Sequence, residues 1–257
     1  MTPVLSVEGL CKRFGGVTAV DDVSFSVNAG ELLAMIGPNG AGKSTCFNLV
    51  GGQLKPDRGR VRLFDHDLVD LPPRRIWRFG VGRTFQITAV FQSMTVVENV
   101  QMALISGRRR IGALWPKASH LYVDEALELL SRVGMLDQAD RACSVLAYGD
   151  LKRLELAVAL ANAPKLLLMD EPTAGMAPAE RIELMQLTSS IVRERGISVL
   201  FTEHDMDVVF AHASRIIVLN RGRLVAAGVP AAVRADPSVQ EIYLGSAGAP
   251  VPSGSPA

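Results

Sequence analysis

Residues 37–44, with the sequence GPNGAGKS, carry the strongest chemical pattern in the chain. They fit G-x-x-x-x-G-K-[ST], in which glycines let successive backbone N–H groups turn inward around phosphate oxygens. In this pattern the ammonium of Lys43 reaches the β- and γ-phosphates and the hydroxyl of Ser44 is suited to Mg²⁺. An apolar run precedes the loop and a helix is predicted from about Lys43 to Val50, which is the context that a phosphate site needs. The alternative is a glycine-rich turn that binds no nucleotide.

Two further polar positions follow short apolar runs. Asp170 and Glu171 come directly after the run at 166–169, and His204 follows the run at 198–201. Because phosphoryl transfer needs charge stabilisation and a positioned water, these side chains predict a hydrolytic site. Asp170 is suited to hold the metal through water, and Glu171 to accept a proton from the attacking water. A solvent-facing acidic pair and an ordinary surface or core histidine are the alternatives.

The elements that would position these residues alternate along the chain. Residues 31–36, 166–169 and 198–201 are typical of strands buried on both faces of a sheet, and helical patterns lie between them. This alternation predicts an α/β fold with a parallel sheet flanked by helices. Apolar residues that alternate with polar ones before position 28 predict antiparallel strands. The spacing of apolar residues from about 90 to 161 predicts helices.

Composition limits the classes of protein. The 257 residues include 27 basic and 26 acidic side chains, a net charge of +1, which disfavours a protein that binds nucleic acid through counterion release. The three cysteines are far apart and form no C-x-x-C, so we expect neither a disulfide framework nor a zinc cage but a reducing compartment. No run of ~18 uncharged apolar residues and no secretory signal pattern is visible, which predicts a cytosolic domain.

The motifs, taken in order, resemble those of ATP-binding-cassette (ABC) ATPases. Beyond the phosphate loop these are Gln86 in RTFQ (83–86), the signature region LAYGD (146–150), the Asp170-Glu171 pair, and TEH (202–204). The resemblance covers roughly residues 4 to 245. It implies a RecA-like P-loop core with an antiparallel β subdomain and an inserted α-helical subdomain. It further implies one ABC ATPase domain over 1–244, with the core and β subdomain at about 1–88 and 162–244, the helical insertion at about 89–161, and a disordered tail at 245–257.

The same resemblance implies the site residues and the cofactors, ATP and Mg²⁺. Glu171 matches the general base, His204 the residue that contacts the γ-phosphate, and Gln86 the residue that senses metal and water. Ser44, Gln86 and Asp170 are the implied metal-site residues. The implied nucleotide-binding residues are Phe14, which would stack on adenine, then Gly37, Pro38, Asn39, Gly40, Ala41, Gly42, Lys43, Ser44 and Thr45, and in trans from a partner cassette Ala147, Tyr148 and Gly149.

Smaller motifs, among them FGG (14–16), LAYG (146–149), EHDM (203–206) and YLG (243–245), resemble the ATPases of branched-chain amino-acid importers. The implied partners are a second cassette, identical or different, transmembrane permease subunits and, indirectly, a substrate-binding protein. The implied location is the cytoplasmic face of the inner membrane. An exporter or lipid-extracting cassette, a urea or other amide importer, and a soluble ABC protein of ribosomes or DNA repair remain alternatives.

Two positions depart from the ABC pattern. Asp150 stands where glutamine is usual, and its carboxylate would repel a nearby γ-phosphate, a repulsion that we expect Lys152 and Arg153 to offset in part. Ala177 stands where a polar residue usually contacts the partner cassette. Because the signature region serves the partner's nucleotide, we expect Asp150 to weaken the partner's site and not the site built on Lys43. Residues 108–110 are three arginines that suit lipid headgroups, acids of a partner or a solvated loop.

Overall fold

The computed structural model describes residues 3–84, 90–108 and 121–244. Gln86, two of the three arginines at 108–110, and the predicted tail at 245–257 lie outside these ranges. The strands are β1 (Leu5–Phe14), β2 (Val17–Val27), β3 (Leu32–Ile36), β4 (Arg58–Leu63), β5 (His66–Asp67), β6 (Val81–Thr84), β7 (Leu166–Asp170), β8 (Ser198–Thr202), β9 (Arg215–Asn220) and β10 (Arg223–Gly228). The helices are α1 (Lys43–Val50), α2 (Pro73–Arg78), α3 (Val96–Gly107), α4 (Val123–Arg132), α5 (Tyr148–Leu160), α6 (Pro178–Arg195), α7 (Met206–His212), α8 (Pro230–Ala235) and α9 (Pro237–Leu244).

Two sheets organise the described chain. The larger has the order β10-β9-β3-β8-β7-β6, and its strands are parallel except for the antiparallel edge strand β10. The smaller is antiparallel with the order β2-β1-β4-β5. The predicted parallel sheet and the predicted antiparallel strands before position 28 are both confirmed.

Strand β3 shows why a continuous apolar run forms the centre of the parallel sheet. Side chains alternate between the two faces of a strand, and Ala34 and Ile36 pack into one hydrophobic cluster while Leu33 and Met35 pack into another. All four are at most 1% exposed. Both faces of the sheet are therefore covered at β3.

Helices α3, α4 and α5 contact one another between β6 and β7, where the sequence predicts helices. The capping box of Thr95 and Glu98 begins α3, since each side chain accepts a hydrogen bond from the other residue's backbone N–H. Helix α5 also contacts β6 and α6, so the signature region at its start is connected to the parallel sheet. In the part of the chain described here, no helix is both long and apolar enough to cross a bilayer.

Candidate active site

The phosphate loop lies between the end of β3 and the start of α1, and two glycines fix its path. A Cβ atom on Gly37 would lie 2.1 Å from the carbonyl oxygen of Leu219, and one on Gly42 would lie 2.4 Å from that of Ala19. Gly42 also has a φ of 104°, which L side chains rarely adopt. The loop is thus held between β2 and β9, and only glycine fits at these two positions.

Lys43 lies folded back over the loop. Its Nζ donates hydrogen bonds to the carbonyl oxygens of Gly37 (2.7 Å) and Pro38 (3.1 Å), and the residue is buried. Burial lowers the pKa of the Lys43 ammonium, and the negative charges of Glu171 and Asp170 partly oppose that shift. The loop therefore holds a desolvated ammonium at the place where phosphate oxygens are expected, and the two carboxylates favour its charged form.

Glu171 and His204 meet at the carboxyl ends of two neighbouring parallel strands. Glu171 follows β7 and His204 lies two residues beyond β8, and the two strands are paired from Leu166 with Ser198 onward. His204 Nε2 lies 2.7 Å from Glu171 Oε1, within hydrogen-bond distance. The side chain of Glu171 is 19% exposed and that of His204 49%, so both are open to a ligand.

The phosphate loop, Glu171 and His204 line one cleft of about 500 Å³. Of the predicted site residues, those that line it are Asn39, Gly40, Ala41, Gly42, Lys43, Ser44, Thr45, Glu171 and His204. Val17, Thr18 and Ala19 of β2 and Arg221 of the β9–β10 turn also line it, and the sequence analysis missed them. No local motif marks these four residues, because long-range strand pairing brings them to the loop.

The candidate metal residues differ in what the structure describes. Ser44 lines the cleft, and Asp170 Oδ1 accepts a hydrogen bond from Thr202 Oγ1 at 2.7 Å. Arg83 approaches the other oxygen of Asp170 at 3.9 Å. A hydroxyl and a carboxylate are the hard oxygen donors that Mg²⁺ prefers, so both residues fit that ion. Gln86, the third candidate, lies outside the described residues.

Phe14, predicted to stack on adenine, lies beside the cleft and does not line it. It ends β1, is 47% exposed, and has the ammonium of Lys12 5.6 Å from its ring centroid. Its register partner on β2 is Val17, which does line the cleft. The ring is therefore an exposed apolar surface next to the loop, and its role toward adenine stays a prediction.

The predicted trans residues begin α5 and do not line the cleft. Ala147 is the N-cap of the helix, and Tyr148 is 42% exposed. A Cβ atom on Gly149 would lie 3.1 Å from the carboxylate of Glu180 on α6, so glycine allows close packing there. These three residues do not line the cleft of their own phosphate loop, and their contact with a partner's nucleotide stays a prediction.

The expectation that Lys152 and Arg153 offset part of the charge of Asp150 stays a prediction. Lys152 Nζ is 3.0 Å from a carboxylate oxygen of Glu155, and both residues are buried. Arg153 lies 2.6 Å from a carboxylate oxygen of Glu183. Each cation is thus paired with an acid other than Asp150.

The structure describes the segment after β6 from residue 90 onward. Within the described part of that segment, Val90 packs against the core, whereas Phe91 is 57% exposed.

Arg108, the first of the three arginines, lies 2.6 Å from a carboxylate oxygen of Glu125 and 4.5 Å from the ring centroid of Tyr122. Arg108 is therefore part of the α3–α4 packing and not a free charge.

Comparison with known proteins decides the family. The model of the ABC transporter family matches residues 20–174, more than half of the chain. The chain belongs to the ABC transporter family. The cassette therefore carries a nucleotide-binding ABC ATPase domain, and the RecA-like fold predicted from the sequence is confirmed. A second model, described as branched-chain amino acid ATP-binding cassette transporter, matches residues 223–249.

Curated relatives agree with this assignment. The cassette is 41% identical to the Salmonella typhimurium high-affinity branched-chain amino acid transport ATP-binding protein LivG, over 95% of this chain and 99% of the relative. It is 38% identical to BraF of Pseudomonas aeruginosa, a protein with the same description, over 95% and 99%. The resemblance to branched-chain importer ATPases is confirmed at the level of the whole chain.

Solved structures show the same architecture. The ADP conformation of MJ1267, an ATP-binding cassette of an ABC transporter, is 32% identical with a TM-score of 0.85, over 95% of this chain and all of that one. The dimeric structure of MJ0796, a bacterial ABC transporter cassette, is 26% identical with a TM-score of 0.76, over 88% and 98%.

Proposed function

We propose that this cassette binds and hydrolyses ATP to energise the import of branched-chain amino acids, in a pair of cassettes docked on permease subunits at the cytoplasmic face of the inner membrane. The observation that carries the proposal is the single cleft that joins the phosphate loop, Glu171 and His204. The substrate class rests on the LivG and BraF relatives and on the match at residues 223–249.

Binding begins with the triphosphate at the loop. The backbone N–H groups at the start of α1 have no acceptor within the helix and favour anionic oxygens, since the helix N-terminus carries partial positive charge. Lys43 is already desolvated, so its ammonium interacts with phosphate more strongly than it would in bulk water. Phe14 supplies an exposed ring for the adenine base.

Hydrolysis requires a base beside the γ-phosphate. Glu171 accepts a proton from a water molecule as the water oxygen bonds to the γ-phosphorus and the bond to the β–γ bridging oxygen breaks, which releases ADP. His204 Nε2, 2.7 Å from Glu171 Oε1, holds that carboxylate in one orientation. Its place in the same cleft as the phosphate loop supports the proposed contact of His204 with the γ-phosphate.

Ser44, Asp170 and Gln86 are the proposed Mg²⁺ ligands, directly or through water. When bound, the ion neutralises phosphate charge that builds up during transfer. Among the residues described here, no three His, Cys, Asp or Glu side chains cluster as a metal cage. Mg²⁺ usually takes one or two protein carboxylates and completes its shell with phosphate and water.

The second cassette completes the site. Ala147, Tyr148 and Gly149 lie away from their own cleft at the start of α5, where helix N–H groups suit a phosphate. We propose that they close over the partner's ATP. The dimeric MJ0796 neighbour supports pairing as a property of this fold.

Replacing the proposed base tests the activity. Glu171→Gln keeps the shape but removes the base, so ATP hydrolysis by the assembled transporter should fall about 10²–10⁴-fold while ATP still binds. Glu194→Gln, an exposed substitution on α6, is the matched control and should keep the wild-type rate. Equal hydrolysis by Glu171→Gln and wild type would refute the role of Glu171.

The partners and substrate are tested separately. The tagged cassette should copurify with a polytopic membrane protein, and vesicles holding the complex and its binding protein should take up radiolabelled leucine in response to ATP. Copurification with ribosomes, or uptake of urea and not of leucine, would contradict this part of the proposal.

A further inference from the structure

Two polar residues, Thr202 and Glu203, are buried at the end of β8, immediately before His204. They are 0% and 4% exposed. An unpaired carboxylate in such a place would be strongly destabilising, because burial removes its hydration. A buried charge at this position therefore calls for specific partners.

Both oxygens of the Glu203 carboxylate have such partners. Oε1 accepts hydrogen bonds from the backbone N–H of Thr173 (2.9 Å) and from its hydroxyl (2.7 Å), and Oε2 accepts one from the backbone N–H of His204 (3.2 Å). Thr173 is itself 1% exposed. The carboxylate thus joins the loop after β7 to the loop after β8.

Thr202 makes a second connection between the same loops. Its hydroxyl accepts a hydrogen bond from the backbone N–H of Glu171 (3.0 Å) and donates one to Asp170 Oδ1 (2.7 Å). Together, Thr202 and Glu203 accept hydrogen bonds from Glu171 and Thr173 and donate one to Asp170. This clasp, defined as Thr202, Glu203 and Thr173, bonds the backbone N–H groups of both Glu171 and His204 and does not line the cleft.

The backbone of Glu171 explains why a clasp is needed. Its φ of 49° is in the left-handed region, which is uncommon for a residue with a side chain and is maintained only where surrounding contacts hold it. The clasp supplies those contacts on the N–H of Glu171 itself and on the N–H of Thr173. The direction of the Glu171 side chain therefore depends on these buried groups as well as on His204, which lines the cleft.

We propose that Glu203 is a positioning residue for ATP hydrolysis, which acts by holding the loops of Glu171 and His204 in register. The inference rests on the proposed function, since it assigns Glu203 a part in the same reaction. Glu203 does not line the cleft, so nucleotide binding should not depend on it. Its effect should appear in the chemical step.

Glu203→Gln tests the inference. An amide keeps the size of the side chain but replaces one acceptor oxygen with an NH₂ group, which cannot accept from a backbone N–H. In the assembled transporter we expect kcat to fall about 10- to 100-fold while KM for ATP and the affinity for ATP stay within about twofold. A parallel loss of ATP affinity, or an unchanged kcat, would overturn the proposal.

Thr173 supplies a milder pair of variants that does not disturb the carboxylate. Thr173→Val removes only the hydroxyl that donates to Glu203, and kcat should fall about fivefold, the factor for one ordinary hydrogen bond. Thr173→Ser keeps the hydroxyl and should restore most of the rate. If valine and serine behave alike, the hydroxyl contact has no part in positioning.

Coupling to the base separates positioning from general destabilisation. If Glu203 acts through Glu171, adding Glu203→Gln to Glu171→Gln should slow the residual hydrolysis by less than twofold, whereas independent effects would multiply. Multiplying effects would overturn the proposal. The wild-type complex distinguishes failure of the proposed function from failure of this inference. If the wild-type complex does not hydrolyse ATP, the proposed function is refuted. If the wild type and Glu203→Gln hydrolyse ATP equally fast, only this inference is refuted.

Discussion

The start of α6 lacks a side-chain cap, and Ala177→Ser should therefore stabilise the cassette. Ala177 has the extended backbone of an N-cap residue (φ −64°, ψ 151°), Pro178 occupies the first helical position, and Ala177 is exposed. Glu180 already accepts a hydrogen bond from the Ala177 N–H at 3.2 Å. A serine hydroxyl would accept a hydrogen bond from the second or third helical N–H and complete the capping box.

The size of the effect follows from the local geometry. Replacing alanine with serine at an N-cap contributes about 1 kcal/mol to the free energy of unfolding, which for a chain of this size raises Tm by about 2–4 °C. Because the backbone angles already suit an N-cap, the substitution requires no rearrangement.

Urea unfolding of the isolated, nucleotide-free cassette measures this effect without any contribution from a partner. The midpoint should rise while the slope m stays the same, since the surface exposed on unfolding does not change. Ala179→Ser, inside the first turn of α6, is the matched control and should be neutral or destabilising by about 0.5 kcal/mol. A midpoint for Ala177→Ser at or below that of the control would refute the capping argument.

Two further predictions follow from Asp150 and His212. Asp150→Gln should raise ATP hydrolysis by the cassette pair about fivefold, which corresponds to the ~1 kcal/mol repulsion of two unit charges 4 Å apart in water; an unchanged rate in a phosphate-release assay would contradict the expected asymmetry. Burial lowers the pKa of His212 below its usual 6.5, so near that pH the unfolded chain binds more protons than the folded chain. The contribution of His212 to the free energy of unfolding should therefore be fully present above pH 6.5 and decrease as the pH falls toward the folded pKa. In denaturation midpoints measured between pH 5 and 8, His212→Gln should show a weaker pH dependence than the wild type. An identical pH dependence in the two proteins would show that other groups cause it.

The ABC motifs could be recognised from the sequence because each is local. The phosphate loop needs only glycines, Lys43 and Ser44 at fixed spacing between a strand and a helix, and that spacing is visible in the chain. Apolar runs long enough to be buried on both faces likewise indicate a parallel sheet, and the strand that ends at Asp170 delivers its acid to the sheet edge. The family, the fold and the cleft residues near the loop were therefore predictable.

Tertiary structure decided which distant residues meet. Arg221 reaches the phosphate loop through pairing in the sheet, and Glu203 meets Thr173 only because β7 and β8 are neighbours in a defined register. Packing of α5 against α6 likewise brings Arg153 within 2.6 Å of a carboxylate oxygen of Glu183, a pairing that no local spacing indicates. The physical reason is that a motif records covalent spacing, whereas a buried ion pair or a strained backbone is determined by the neighbours that packing brings within hydrogen-bond distance.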